Sequence, residues 1–367
     1  MTLLGDTLDH LRVLVGYDTR NPPRAIDSGG VFDYLHAQLP DFELTLADHG
    51  AGAVSLLAVR GRPRLLFNVH LDTVPDAPHW SGSPFELRVD GERAIGLGAC
   101  DIKGAAAALL AVANASNGPM AILFSSDEEA NDARCIAGFL GARHRAAFEA
   151  VIVAEPTRGE AVLAHRGIQV VALRFAGHAG HASSLQASTD SAVHQAMRWG
   201  NAALDFAASE AHQRFGGLTG LRLNIGRVEG GIKANVIAPA AELRVGLRRL
   251  PTMDPDRLLE TLRGLVEPAP AEFVETFRGD ALPAGDTAGA EERRLVARDL
   301  AEALDMPIGN AVDFWTEAAL FSAAGHTVFV YGPGDIAQAH SADEWVALES
   351  LRQYADTVHR IVTGGRA

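Results

Sequence analysis

Short apolar runs that end on ionisable residues constrain this chain more than any other feature. LLFNVH closes on His70, AILFSSDEE on Glu128 and Glu129, and VIVAEP on Glu155; after a fourth run, VFVYGPG, His340 follows nine residues beyond Tyr331. Runs this short and this apolar read as strands buried on both faces, the pattern of a parallel sheet. Helical stretches separate them, one Ala-rich from about 102 to 115 and one near 133 to 140. Alternating strands and helices imply a doubly wound, mainly parallel α/β sheet, which takes its ligands in the crevice beyond the carboxyl ends of the strands. Carboxylates and imidazoles gathered at that edge suit a metal site better than a packing surface. The expectation is a hydrolytic metalloenzyme.

A chain of 367 residues is long for one core and suits two domains. After HRG at 165–167 the pattern changes to a strand (168–175), a helix (189–207), two strands (221–228 and 241–247), a helix (254–265) and a strand (272–277). This β-α-β-β-α-β order is that of a ferredoxin-like α+β unit. The Gly- and Pro-containing stretch RGDALPAGDTAG then marks a return, with a long helix from Glu291 and a last helix over 348–363. A discontinuous first domain of residues 1–166 and 279–367, interrupted by an inserted domain of residues 167–278, is therefore expected.

Composition narrows the function classes. Apolar residues make up 47% and charged residues 21%, as in soluble globular proteins, and the net charge of −14 argues against nucleic acid or an anionic membrane as partner. Two cysteines, Cys100 and Cys135, cannot build a disulfide framework and fit a reducing compartment. Leu4, Leu8, Leu11 and Val15 give the N-terminal stretch the look of an amphipathic helix, not a signal peptide, and GAAAALLAVANA is too short to span a bilayer. The expected location is the cytoplasm.

Each candidate ligand also has a plain structural reading. His70 and Asp72 in HLDTVP are two apart and point the same way on an extended segment, so the pair suits a ligand and the carboxylate that orients it, or a polar turn. Asp101 in GLGACDIKG could cap the helix that follows, or bridge two cations with its two oxygens. Glu128 and Glu129 are adjacent, so in a loop they could serve one cluster in different roles, as ligand and as base for an attacking water. Glu155 directly follows an apolar run, where a carboxylate must be exposed or compensated. A lone His340 is often structural. Nitrogen and oxygen donors without thiolates favour zinc, cobalt or manganese.

HLDTVP, GLGACDIKG, DEE, AEPT and AHSADE, in this order and spacing, resemble the acetylornithine deacetylase/succinyl-diaminopimelate desuccinylase family of dinuclear metallohydrolases over essentially the whole chain. The resemblance implies two divalent ions, zinc or cobalt with cobalt favoured. It makes His70 a ligand of one ion and His340 of the other, Asp101 the bridge, Glu155 and Glu129 the completing carboxylates, Asp72 the support of His70 and Glu128 the general base. GHAGHAS in the inserted domain resembles a lid motif that places His181 in a neighbouring subunit's site, so a homodimer through this lid is implied. Asn235 in KANVIAP and Arg248 in VGLRRL match positions associated with the substrate carboxylate; the plain structural alternative is a turn Asn and an exposed strand Arg.

The implied reaction is hydrolysis of an N-acetyl-L-amino acid in arginine biosynthesis. N-acetyl-L-citrulline is expected first and N-acetyl-L-ornithine second, with a dipeptidase or desuccinylase further behind. A metal-binding protein that kept the fold and lost the chemistry is the reading from another class. Two departures from the family pattern stand out: Leu97, where Arg is common, and Phe314–Trp315 ahead of Thr316, where two glycines are common. Bulky rings in that loop are expected to reshape the substrate pocket.

Overall fold

The computed structural model describes residues 2–24, 26–130, 132–142 and 148–364. They form two compact units: one of Met1–Leu163, Leu295–Gly309 and Thr316–Ala367, the other of Ala164–Arg294 and Asn310–Trp315. In chain order the first unit begins with helices α1 (Leu3–Val15) and α2 (Val31–Gln38) and strands β1 (Glu43–Asp48), β2 (Val54–Arg60), β3 (Leu65–His70), β4 (Arg88–Asp90) and β5 (Arg93–Ile95). Helix α3 (Gly104–Ala115), β6 (Met120–Ser125), α4 (Arg134–Gly141) and β7 (Ala150–Val153) follow.

The second unit holds β8 (Gly167–Ala176), the single turn α5 (Ala187–Asp190), α6 (Ala192–Ser209), a two-residue hairpin of β9 (Arg214–Phe215) and β10 (Leu218–Thr219), β11 (Arg222–Gly230), β12 (Ala240–Arg249), α7 (Pro255–Arg263) and β13 (Glu272–Gly279). Helix α8 (Thr287–Ala303) carries the chain back, and α9 (Ala318–Ala323), β14 (Thr327–Val330), β15 (Trp345–Ala347) and α10 (Leu348–Thr363) complete the first unit.

The main sheet of the first unit has the order β1-β2-β6-β3-β7-β14. Strands β6, β3, β7 and β14 are parallel, while β2 joins β6 antiparallel and β1 extends that edge. Side chains alternate across the sheet. Phe67, Val69, Ile122, Phe124, Ile152 and Phe329 enter one core with residues of α1, α3 and α10. Val151 and Val328 between them face the layer of α4 and α9, where Phe139 meets Phe148 and Phe321 with ring centroids 6.0–6.3 Å apart. Helix α3 is buried from Gly104 to Ala113 because its alanines let α1 and α10 approach closely. The sheet is thus doubly wound, with an antiparallel β1–β2 edge. Helix α3 starts at Gly104 because residues 99–103 form a separate turn.

In the second unit, the antiparallel sheet β11-β12-β8-β13 with α6 and α7 has the ferredoxin-like order. Trp199 on α6 is fully buried among the sheet's Leu173, Val245 and Phe273, and its Nε1 donates to the Leu262 carbonyl of α7 at 2.8 Å. This unit runs past residue 278, where the inserted domain was expected to end. Arg249 binds the Asp280 carboxylate at 3.1 Å, Leu282 bridges to His165, and Trp315 donates to the Asp280 carbonyl at 2.9 Å, so residues 280–294 stay with the sheet.

Candidate metal centre

Because β3, β6, β7 and β14 run parallel, their carboxyl ends share one edge of the sheet, and the ionisable residues emerge there. His70 is the last residue of β3 and is 2% exposed. Its Nδ1 donates to the backbone carbonyl of Asp72 at 3.0 Å, with the Asp72 carboxylate farther off at 3.5 Å. The imidazole is therefore oriented mainly by a backbone oxygen, and its Nε2 faces the cluster. The Asp72 carboxylate also steadies the neighbourhood: its Oδ2 accepts from Asn21 Nδ2 at 3.0 Å and from the Glu129 amide at 3.1 Å.

Asp101 does not cap α3. Its φ of −123° and ψ of 86° are extended, the position before the helix is Lys103, and the Asp101–Ile102 peptide is cis. Gly98 ahead of it takes φ +76°, and an added Cβ would lie 2.6 Å from Thr73 Cγ2, so both the turn and the packing require glycine there. This turn directs Oδ1 to His70 Nε2 at 3.3 Å and Oδ2 to His340 Nε2 at 3.2 Å.

Two triads result. His70 Nε2 also lies 3.8 Å from Glu155 Oε1, two residues beyond β7, and His340 Nε2 lies 3.0 Å from Glu129 Oε1 in the loop after β6. Donor atoms of His70, Asp101 and Glu155 all fall within 4.8 Å of one another, as do those of Asp101, Glu129 and His340, with Asp101 in both sets. A tetrahedral zinc site with bonds near 2.0–2.2 Å has donors about 3.3–3.6 Å apart. His70 Nε2, at 3.3 and 3.8 Å from two carboxylates, suits a shared cation better than a charge-assisted hydrogen bond. The residues fit a pair of divalent ions. Glu128 is partly buried beside these sets, with no hydrogen-bond partner among the described residues.

The electrostatics agree. Burial pushes the Glu155 carboxyl well above its usual range, and the charges of Asp101, Glu128 and Glu129 add to it. Glu128 is raised in the same way, burial first and Glu129, Glu317 and Asp101 next, with His70 opposing. Burial would raise Asp101 too, but hydrogen bonds from His340 and His70 hold it low. His340 is lifted to about 10 by its bonds to Asp101 and Glu129. So many buried carboxylates call for cations.

The other expected site residues lie in the second unit. His181 is exposed, its Nδ1 against Ser183 Oγ at 2.7 Å; it bridges to Val236, and Asn235 offers its carbonyl to the Ala182 amide at 3.2 Å. Arg248, half-buried on β12, stands across from Arg222 of β11 and Ile168 of β8. Trp315 is held within this unit, its ring against Gly279 and edge-on to His165 at 6.5 Å.

Three residues of the first unit escaped sequence reasoning. Asn21 binds Asp72. Glu317 is buried with its carboxyl raised to about 8 by burial and accepts from Ser125 Oγ at 2.9 Å. Glu344 accepts three backbone amides of the 98–101 turn. Its place four residues after His340 within AHSADE was the available signal.

A family model described as peptidase family M20/M25/M40 matches residues 66–364. The chain belongs to that family. It is an M20 hydrolase, and its similarity to other proteins extends end to end. It is 67% identical over 363 residues, 99% of both chains, to an N-acetyl-L-citrulline deacetylase of Xanthomonas campestris pv. campestris. An acetylornithine deacetylase of Myxococcus xanthus is 33% identical over 404 residues, covering 99% of this chain and all of that one. Among solved structures, an M20 family metallo-carboxypeptidase from Sulfolobus solfataricus superposes with a TM-score of 0.76 at 14% identity, over 97% of this chain and 98% of that one. A dinuclear metal-binding M20 peptidase, YXEP of Bacillus subtilis, gives 0.64 at 16% identity over 98% and 97%. These two likenesses show the M20 fold.

Proposed function

We propose that this M20 hydrolase cleaves the amide of N-acetyl-L-citrulline, releasing L-citrulline and acetate, a step of arginine biosynthesis. The observation that carries the reading is the 67% identity over 99% of both chains with a relative of that name. Two zinc or cobalt ions would be held by His70, Asp101 and Glu155 on one side and by Asp101, Glu129 and His340 on the other. When bound, the ions supply Lewis acidity, lowering the pKa of the attacking water and polarising the acyl carbonyl.

The chain's own residues do the rest. Glu128, whose burial makes it a stronger base than an exposed carboxylate, takes the water's proton and returns it to the leaving nitrogen as the C–N bond breaks. Asp72 keeps the His70 Nδ1 proton turned away from the cluster. His181 donates to the oxyanion, Arg248 pairs with the α-carboxylate, and Asn235 helps to hold that carboxylate.

The same reading makes the enzyme a homodimer joined through the second unit, with His181 serving the partner's site. Strand β11 supports this: it is an edge strand with Val228 63% exposed, and Met197 and Leu204 on α6 are exposed as well. An unpaired edge beside apolar surface is what a second copy would cover. Operation in the cytoplasm fits Cys100 and Cys135, both buried and unpaired, and among the described residues no helix is long and apolar enough to cross a membrane.

Acetylornithine deacetylation is the second reading, favoured by the Myxococcus relative. Side-by-side kcat/KM values on N-acetyl-L-citrulline, N-acetyl-L-ornithine and N-succinyl-diaminopimelate, after cobalt or zinc reconstitution, test both. The highest value is expected on acetylcitrulline. A higher value on acetylornithine reverses the order, and metal uptake without turnover on any of them leaves a binding protein.

A further inference from the structure

Asp101 lies in a turn that no regular element supports. Residues 98–101 combine a positive φ at Gly98 with extended geometry at Asp101 itself, so their amides cannot join a helix or a sheet ladder. The Ala99 amide donates to the Gly96 carbonyl at 3.0 Å, and the other three go to one side chain. Glu344 Oε2 accepts from the Gly98 amide at 3.0 Å, and Oε1 accepts from the Cys100 and Asp101 amides at 2.9 and 3.0 Å. Glu344 is 1% exposed, so water does not share these bonds.

The segment that delivers this carboxylate is itself fixed. Trp345 of β15 pairs with Ile95 of β5, and the Gly96 amide donates to the Glu344 carbonyl at 3.0 Å. Four residues before Glu344 on the same segment stands His340, whose Nε2 faces the other oxygen of Asp101. Glu344 therefore joins, through one side chain, the turn carrying Asp101 and the segment carrying His340.

We propose that Glu344 is a positioning residue of the metal centre, which sets where Asp101 stands relative to His340 without touching ion or substrate. The inference rests on the reading above that Asp101 bridges two ions. Three amides need two acceptor oxygens, and a glutamine in either orientation turns an NH₂ towards at least one of them. One amide is then left unpaired in a buried place, and the turn must shift. Residues that orient ligands from behind typically change metal affinity by about 10–100-fold when replaced.

The test is a cobalt titration of the metal-free full-length protein, read by calorimetry and by the spin coupling between paired cobalt ions, for wild type, Glu344→Gln, Glu344→Asp and Asp101→Asn. Wild type is expected to take two coupled ions and Asp101→Asn to lose the coupling. Glu344→Gln is expected to bind at least one ion about 10–100-fold more weakly, with reduced coupling, and Glu344→Asp, which keeps both oxygens, to fall between. If Glu344→Gln does not fold, Glu344→Asp decides on the same readouts. Wild-type affinity and coupling in a folded Glu344 variant, with Asp101→Asn impaired, overturn the proposal and leave the bridge standing. Two coupled ions in Asp101→Asn overturn the bridge and the proposal with it.

Discussion

Adjacent carboxylates with different surroundings do different chemistry. Glu129 is tied to His340 Nε2 at 3.0 Å and its amide to Asp72, so it is held as a ligand is held. Glu128, partly buried and without a hydrogen bond among the described residues, has no such tie, as the proposed base role requires. Glu128→Gln is expected to lower kcat by about 10²–10⁴-fold while two ions per chain remain in elemental analysis; a loss under tenfold removes Glu128 from the base role. Behind them, the Glu317 carboxyl is raised by burial from an ordinary 4.5 to about 8. The folded protein holds that proton after the unfolded chain has released it, so this group costs stability as pH rises through that window. In chelator-treated protein, Glu317→Gln should flatten the fall in thermal stability between those two pH values, and an unchanged profile would count against it.

Strand ends decide what can reach the ions, and packing between them fixes it. A Cβ added to Gly332, just past β14, would lie 2.4 Å from the Glu155 carbonyl oxygen and 2.9 Å from its amide nitrogen. Gly332→Ala is therefore expected to displace Glu155 and weaken the ion at His70, Asp101 and Glu155 more than its neighbour, which site-resolved metal occupancy in crystals would detect. Equal loss at both positions would contradict it.

The apolar runs of β3, β6, β7 and β14 were legible because each is buried on both faces, and α10 because its helical period is strong. The β1–β2 edge is not legible in this way: β1 has no buried residue, with Thr45 and Leu46 both exposed, and carries Glu43 and Asp48 at its ends. Sequence spacing also placed Asp101 at a helix start without deciding between cap and ligand. The choice depends on His340 and Glu344, more than two hundred residues away along the chain. Asn21 and Glu317 stay hidden for the same reason, since each acts through a long-range hydrogen bond that leaves no local pattern, whereas Glu344 has one local mark, its place within AHSADE.

At the scale of the whole molecule, the dimer and the active site are one question. If His181 completes the partner's site, Glu128→Gln and His181→Ala homodimers should each be impaired, and mixing them with subunit exchange should restore activity. In a twofold dimer, half of the randomly mixed pairs are hybrids with one intact site, so recovery of about a quarter of wild-type activity is expected. No recovery despite demonstrated exchange would confine His181 to its own chain or remove it from catalysis.

Everything rests on two cations sharing Asp101. Anomalous scattering from crystals of the cobalt- or zinc-reconstituted protein measures this most directly. Two peaks are expected, one against His70, Asp101 and Glu155 and the other against Asp101, Glu129 and His340. A single peak, or ions bound elsewhere with these side chains empty, would contradict the account.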